Sequence, residues 1–470
     1  MKKLLFPLLI AGFATTVLAD IDRTKKPEAD PAPAASFPDY RTVTLPNGLK
    51  VFVIEDDRKP TVTFRMIIRS GSIADGDKKG AAGFVAGLLN RGTEKRDAAT
   101  FAIETDSIGV KIEASGGQDA ISIGAGGLTK YTDRILDLFS DAVLHPAFPA
   151  PQFTRIQRQT LSGLEAEKQQ PSSLAEKLAG KVVYGSFPYG SYLKPEDVTS
   201  IQREDLVAFH KANFLPNNAS LAIVGDVKAD AILPLIEKTF GSWQKGEVPT
   251  PKLPEVPKLQ GLTIHLVDRP GSVQSNIIVL SDAPPRNNPD LPELNVVNAT
   301  LGGGFSGRLF QNLREKHGWT YGSSSAFDYK KLAGNFQATA ETRNEVTGPA
   351  VAEILKEITR IRDEPAKEEE IALQRQYNVG NYLLSLENTA RTAQRVQDID
   401  LYGLPADFYK TYAKRMSVVT PAQVGELAKK YLTTENVAVV VVGEAKEIKP
   451  ELDKIGKVVV YDQELKPVVQ

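Results

Sequence analysis

The 470-residue chain contains no cysteine. Disulfides, thiolate metal sites, a cysteine nucleophile and a lipid-modified N-terminal cysteine are excluded together. Histidine is nearly as scarce, with only His145, His210, His265 and His317. None stands four residues from another, and His145 sits in "LHPAFP", where proline blocks a helical ligand pair. An autonomous zinc site is therefore rejected. Charge of one sign is not in excess either. The 57 Lys and Arg balance 58 Asp and Glu for a net of −1, leaving no general attraction to nucleic acid or an anionic membrane. After the N-terminal segment, no apolar run is long enough to span a bilayer.

What is present begins with "MKKLLFPLLIAGFATTVLAD": two lysines, a short apolar run interrupted by Pro7, and Val17-Leu18-Ala19. This is the form of a secretory signal over 1–19, which predicts export, with a periplasm as the expected compartment. A loose Pro/Ala-rich leader is expected over 20–37. A second proline-rich stretch, 246–260, falls near the middle of the chain and marks a boundary between a first domain over 38–245 and a second over 261–463, with a tail from 464 to 470.

The two sides of that boundary echo each other. "FLPNNASLAIVGD" at 214–226 matches "LTTENVAVVVVGE" at 432–444 with an offset of 218, and "IQRQ" at 156–159 matches "LQRQ" at 373–376 with an offset of 217. In each half an amphipathic helix runs into an apolar strand, so that Leu206, Phe209 and His210 correspond to Val424, Leu427 and Ala428. The spacing predicts an internal duplication. "LKVFVIEDD" and "TVTFRMIIRSGS" read as strands, and "AVAEILKEITRIRDEP" sets Val351, Ile354, Leu355 and Ile358 on one helical stripe. Strands and helices in blocks favour an α+β fold, each half a mainly antiparallel sheet packed with helices.

Two stretches ask for explanation. "GAAGFVAGLLNRGTEKR" at 80–96 reads as a helix start, yet carries Gly83 and Gly87 one above the other beside Ala86. "GGGFSG" at 302–307 lacks the Lys-Ser/Thr of a phosphate loop and reads instead as a tight turn near a substrate or a hinge. The glycines in "SIGAGGL" at 122–128 suggest a close backbone approach within a strand.

The order of these segments, with "SFPYG" and then "GGGFSGRLFQNLREKHGWTYG", resembles the pitrilysin-like (M16) zinc peptidases over about residues 38–462. In active members of that family the first helix carries His-x-x-Glu-His, two zinc ligands and a general base on one face. The resemblance puts Gly83 and Gly87 at the ligand positions and Ala86 at the base, with the third ligand near Gly163 or Glu165. The glycines would then be vacated ligand positions that also permit close helix packing. The second-half signature is kept. The resemblance assigns Arg314 to substrate backbone and Tyr321 to polarising the scissile carbonyl, with Gly303, Gly304 and Phe305 near substrate. It implies a non-catalytic, peptide-binding subunit that needs no cofactor itself. The zinc would belong to a partner M16 subunit with an intact His-x-x-Glu-His, in a heterodimer. The alternative is an inactive structural or peptide-binding homologue.

Overall fold

The computed structural model describes residues 37–468. The expected signal segment and the leader up to residue 36 lie outside them. Phe37, expected in the leader, is instead buried, its ring 5.5 Å from that of Tyr409. Strands β1 (Arg41–Thr44), β2 (Lys50–Glu55), β3 (Thr61–Ile68), β4 (Lys111–Gly116), β5 (Ile121–Leu128) and β6 (Ala219–Gly225) make a first sheet in the order β1-β2-β6-β3-β5-β4. The second half repeats it with β7 (Leu262–Asp268), β8 (Gln274–Ala283), β9 (Ser323–Tyr329), β10 (Gly334–Arg343), β11 (Val437–Gly443) and β12 (Lys457–Tyr461), in the order β12-β7-β11-β8-β10-β9. Pairing is antiparallel except β2–β6, β7–β11 and β7–β12.

The duplication is carried down to single residues. Helices Arg203–Asn213 and Pro421–Tyr431, and strands β6 and β11, stand at the one offset of 218. The outer strand breaks the symmetry, since β1 arrives from the N-terminal side and runs antiparallel to β2, whereas β12 arrives from the C-terminal end and runs parallel to β7.

β6 and β11 are buried along their whole lengths, which explains why "VAVVVVG" shows no alternation. Each sheet is covered on both faces, and the second cover is borrowed. Helix Pro171–Tyr184 of the first half packs on β8 and β11 of the second, and helix Thr389–Tyr402 of the second packs on β3 and β6 of the first. Alternate residues of β11 therefore enter different cores. Val439 and Val441 face helices of their own half, while Val440 and Val442 meet Leu174, Leu178 and Val183 from the other. The reciprocal contact is polar as well: Gln397 Nε2 donates to the carbonyls of Arg65 and Ser220, both at 2.9 Å, and Asp400 pairs with Lys50 at 2.7 Å and with Arg69. The two halves thus form one compact unit. The proline-rich stretch between them has no regular structure, and its Leu253, Val256 and Leu259 lie against the core beneath helix Pro171–Tyr184. Leu465, expected in a free tail, is buried there too, its carbonyl accepting from Lys181 Nζ at 3.2 Å.

Candidate functional site

Helix Ala81–Leu88 starts from Gly80, whose φ of 95° suits glycine, and its first turn is fixed by Asp75. The Asp75 carboxylate accepts from the backbone N–H of Gly80 at 2.7 Å and of Ala82 at 2.8 Å. Burial pushes this carboxyl up to about 6, against the lowering effect of those two donors. The helix presents Gly83 to solvent, leaves Gly87 half-buried and holds Ala86 at 3% exposure. Gly83 lines a cavity of about 540 Å³ with Asp75, Gly116, Pro249 and Leu253; Ala86 and Gly87 line another of about 600 Å³ with Arg65, Asn90, Arg91 and Glu113.

The expectation that Gly83 and Gly87 permit close helix packing is not met. A Cβ on Gly83 would meet nothing within 4 Å, and one on Gly87 would meet Ile156 Cδ1 at 3.6 Å, an ordinary contact. The close approach belongs to Gly116 of β4, where a Cβ would fall 3.0 Å from the Cα of Gly83. Gly83→Ala is accordingly expected to stabilise the protein by about 0.5–1 kcal/mol, through helix propensity and reduced freedom of the unfolded chain. Urea denaturation of the two proteins measures this, and a destabilised variant would mean that the empty space at position 83 is not tolerant of a side chain.

The residues present do not fit a zinc ion. Positions 83, 86 and 87 carry no ligand atoms, and among the described residues no group of three or more His, Asp and Glu side chains is arranged to hold a metal. On helix Ala150–Lys168, Ile156 touches the space over Gly87, and Gly163 stands two turns further along that same face, open to a side chain. Glu165 points elsewhere and pairs with Lys168 at 3.3 Å.

The four histidines serve packing and local contacts. His210 Nε2 meets the carbonyl of Val143 at 2.9 Å, His265 Nδ1 meets the Tyr461 hydroxyl at 2.9 Å, His317 stacks on Trp319, and His145 stands 3.8 Å from Glu94. Burial lowers both His210 and His265 to about 4. The unfolded chain binds protons at these sites between pH 6.5 and 4 while the folded chain does not, so stability is lost as pH falls through that window. Each contributes at most about 3 kcal/mol, and Asp75, whose shift has the opposite sign, offsets part of it. A net loss of stability between pH 7 and pH 4.5 is expected in equilibrium denaturation; equal stability at the two values would refute the burial of neutral imidazoles.

In the second half, the glycine-rich segment follows helix Leu291–Leu301 as a tight turn. Backbone or side-chain atoms within 3.0 Å leave no room for a Cβ at Gly302, Gly303 or Gly307, whereas Gly304 meets only the ring of Tyr377 near 4 Å. The turn is anchored by Arg308, whose fork grips Glu370 at 2.7 and 2.9 Å, and by Gln374 Nε2 donating to Ser306 Oγ at 3.0 Å. It raises Phe305 to 77% exposure with its ring 4.9 Å from Phe310. The guanidinium of Arg314 lies 5.1 Å from the Phe310 ring centre, and its Nη1 donates to the Tyr321 carbonyl at 2.8 Å. Arg314 sits in a π turn, Gln311–Lys316, and Tyr321 lies two residues before β9, on the approach to that strand. Its ring is 87% exposed, and no partner in the described structure takes up its hydroxyl. Phe305, Phe310, Arg314 and Tyr321 are thus brought together on one surface. Neither cavity at helix Ala81–Leu88 includes Arg314 or Tyr321 in its lining. The Arg314–Tyr321 tie is the contact that sequence reasoning missed, since spacing gives the pair but not the bond between them.

Two family models match in succession: "Insulinase (Peptidase family M16)" over residues 50–193 and "Peptidase M16 inactive domain" over residues 200–378. An uncharacterised zinc protease of Mycobacterium tuberculosis is 25% identical over 87% of this chain and 94% of its own length. A probable mitochondrial-processing peptidase β subunit of Arabidopsis thaliana is 22% identical over 90% of this chain and 81% of its own. Among solved structures, a peptidase M16 inactive domain from Pseudomonas fluorescens superimposes with a TM-score of 0.81 at 25% identity, covering 86% of this chain and 98% of that one. The periplasmic protease PqqL of Escherichia coli shares the fold at a TM-score of 0.72 and 14% identity, with 89% of this chain covered and 49% of that one. With matching models over both halves and the duplicated sheets that carry them, the chain belongs to peptidase family M16.

Proposed function

We propose that this chain is the non-catalytic, substrate-binding subunit of a two-subunit zinc peptidase acting on peptides. The observation that carries this reading is the contrast between its two halves. The motif helix offers glycine and alanine where metal chemistry needs imidazole and carboxylate, while the second half presents Arg314 and an unpartnered Tyr321 hydroxyl on an exposed surface. A phenol and a guanidinium are hydrogen-bond donors suited to an oxygen that gains negative charge. A partner M16 subunit with an intact His-x-x-Glu-His would bring the zinc and the base. This chain would bring Tyr321, Arg314 and half of a chamber wall, with β4 at the edge of the first sheet, where an extended peptide could pair. The Arabidopsis relative, named as a subunit, supports the two-chain form. With the export expected from residues 1–19, the assembly would act outside the cytoplasm.

Two measurements test this. After dialysis the purified chain is expected to hold no stoichiometric zinc and to leave unstructured peptides intact, and adding the partner subunit is expected to give peptidase activity above that of the partner alone. One tightly bound zinc per chain, or chelator-sensitive hydrolysis by the chain alone, would overturn it. A partner that binds without any gain in activity would favour the inactive structural or peptide-binding homologue.

A further inference from the structure

The segment that carries Arg314 is not a regular helix. Over Gln311–Lys316 the chain forms a π turn in which the His317 N–H donates at 3.1 Å to the carbonyl of Asn312, five residues back. One inserted residue rotates all that follows by about 100° relative to an α-helix. The turn therefore decides which way Arg314 and the run to Tyr321 face. Such turns are short and rare because the α form is intrinsically preferred, so one that persists is held by its surroundings.

Here the hold comes from the neighbouring helix, Thr347–Asp363. Asn312 Nδ2 donates to Glu357 Oε1 at 2.6 Å and to Glu353 Oε2 at 2.7 Å. Glu357 is 1% exposed, set into the same buried stripe as Ile354, Ile358 and Ile361, and its Oε1 also accepts from Arg360 Nη1 at 2.7 Å. Its second oxygen, Asn312 Oδ1 and His317 Nε2 are all buried without a partner in the described structure. A carboxylate in this position is a poor source of stability compared with an apolar side chain of similar size. Its geometry instead holds Asn312, near the start of the π turn, and the Asn312 carbonyl receives the His317 N–H at the far end, where His317 stacks on Trp319 with ring centres 4.1 Å apart just before Tyr321.

We propose that Glu357, acting through Asn312, is a positioning residue for the Arg314–Tyr321 pair, its buried carboxylate holding the π turn that aims the tyrosine hydroxyl. This rests on the reading that the pair acts on bound peptide, and adds the device that sets its direction. Arg314 completes the chain of contacts by gripping the Tyr321 carbonyl.

The test uses the full chain with Glu357→Leu, which removes the buried one of the two carboxylates that accept from Asn312 and leaves Glu353, and Glu357→Gln, which keeps an acceptor at position 357. Hydrogen exchange followed by mass spectrometry is expected to show amides 317–322 exchanging at least tenfold faster in Glu357→Leu, with β8 and β11 unchanged, and most of the protection restored in Glu357→Gln. Wild-type exchange at 317–322 in a folded Glu357→Leu protein would overturn the proposal. If that variant does not fold, Asn312→Ala cuts the same link while leaving Glu357 paired with Arg360, and the same two outcomes apply. With the partner present, Glu357→Leu is expected to lower kcat and raise KM, and to add no further loss of kcat to Tyr321→Phe; fully additive losses of kcat would also overturn it. The exchange readout needs no partner. A faster-exchanging 317–322 segment in a chain that activates no peptidase would therefore uphold the positioning role and refute only the chemistry assigned to Tyr321.

Discussion

Tyr321→Phe is expected to lower kcat of the assembled peptidase by roughly 10²–10³-fold while leaving assembly and KM near wild type. The substitution removes one oxygen from a ring that is almost wholly exposed and whose hydroxyl has no partner in the described structure. Neither packing nor an internal hydrogen bond is lost with it, so stability should not change. What is lost is a donor to the substrate carbonyl, an interaction that strengthens as charge develops on oxygen and so acts on turnover rather than on ground-state binding. Arg314→Ala is expected to differ from the simple KM effect that the family role alone would give. Its guanidinium already spends one N–H on the Tyr321 carbonyl, so its removal should both weaken peptide binding and loosen the tyrosine, raising KM and lowering kcat together. Steady-state kinetics of both variants, with assembly followed by gel filtration, separate the roles. Wild-type turnover by an assembled Tyr321→Phe complex would reduce this chain to a chamber wall.

Much of the fold was legible because its signals are local or repeated. The offset of 218 between two helix–strand units reappears residue for residue in helices Arg203–Asn213 and Pro421–Tyr431 and in β6 and β11, and of the predicted stripe Val351, Ile354 and Ile358 are buried while Leu355 is half-buried at its margin. The sequence was silent where burial depends on a distant partner. The apolar faces of helices Pro171–Tyr184 and Thr389–Tyr402 announce that they will be covered, but nothing in their spacing says that each covers the other half's sheet. Phe37 and Leu465 were misplaced for the same reason, since a single apolar residue in a polar or proline-rich run has no period to reveal it. The glycines divide similarly. Gly83 and Gly116 look alike in sequence, yet only the structure shows that the crowding lies at Gly116 and the free space at Gly83. At the candidate site the residue types were legible from the signature, whereas the π turn and its tether to Glu357 depend on a contact between residues 45 apart in the chain.

The free space at position 83 makes the vacated motif open to experiment. Gly83→His and Gly87→His place two imidazoles one turn apart, the first with nothing in its way and the second passing Ile156 Cδ1 at an ordinary contact distance. Ala86→Glu is the harder change, because Ala86 is nearly buried, but it borders the 600 Å³ cavity and its carboxylate can extend there. Burial would raise the pKa of that carboxylate, as a general base near neutrality requires. Two histidines are one ligand short of a catalytic zinc site, and the geometry favours Gly163 over Glu165 as the place for the third. Gly163 lies on the face of helix Ala150–Lys168 that meets Gly87 through Ile156, whereas Glu165, two residues further on, faces away and is paired with Lys168. The triple variant is therefore expected to bind zinc weakly, and the quadruple variant with Gly163→Glu to bind it at least about 10²-fold more tightly, since even an outer-shell partner is worth 10–100-fold in affinity. Competition with a chromogenic chelator measures both affinities. Equal and tight binding by the triple variant would show that Glu165 or another side chain swings in as the third ligand, and would return that position to Glu165.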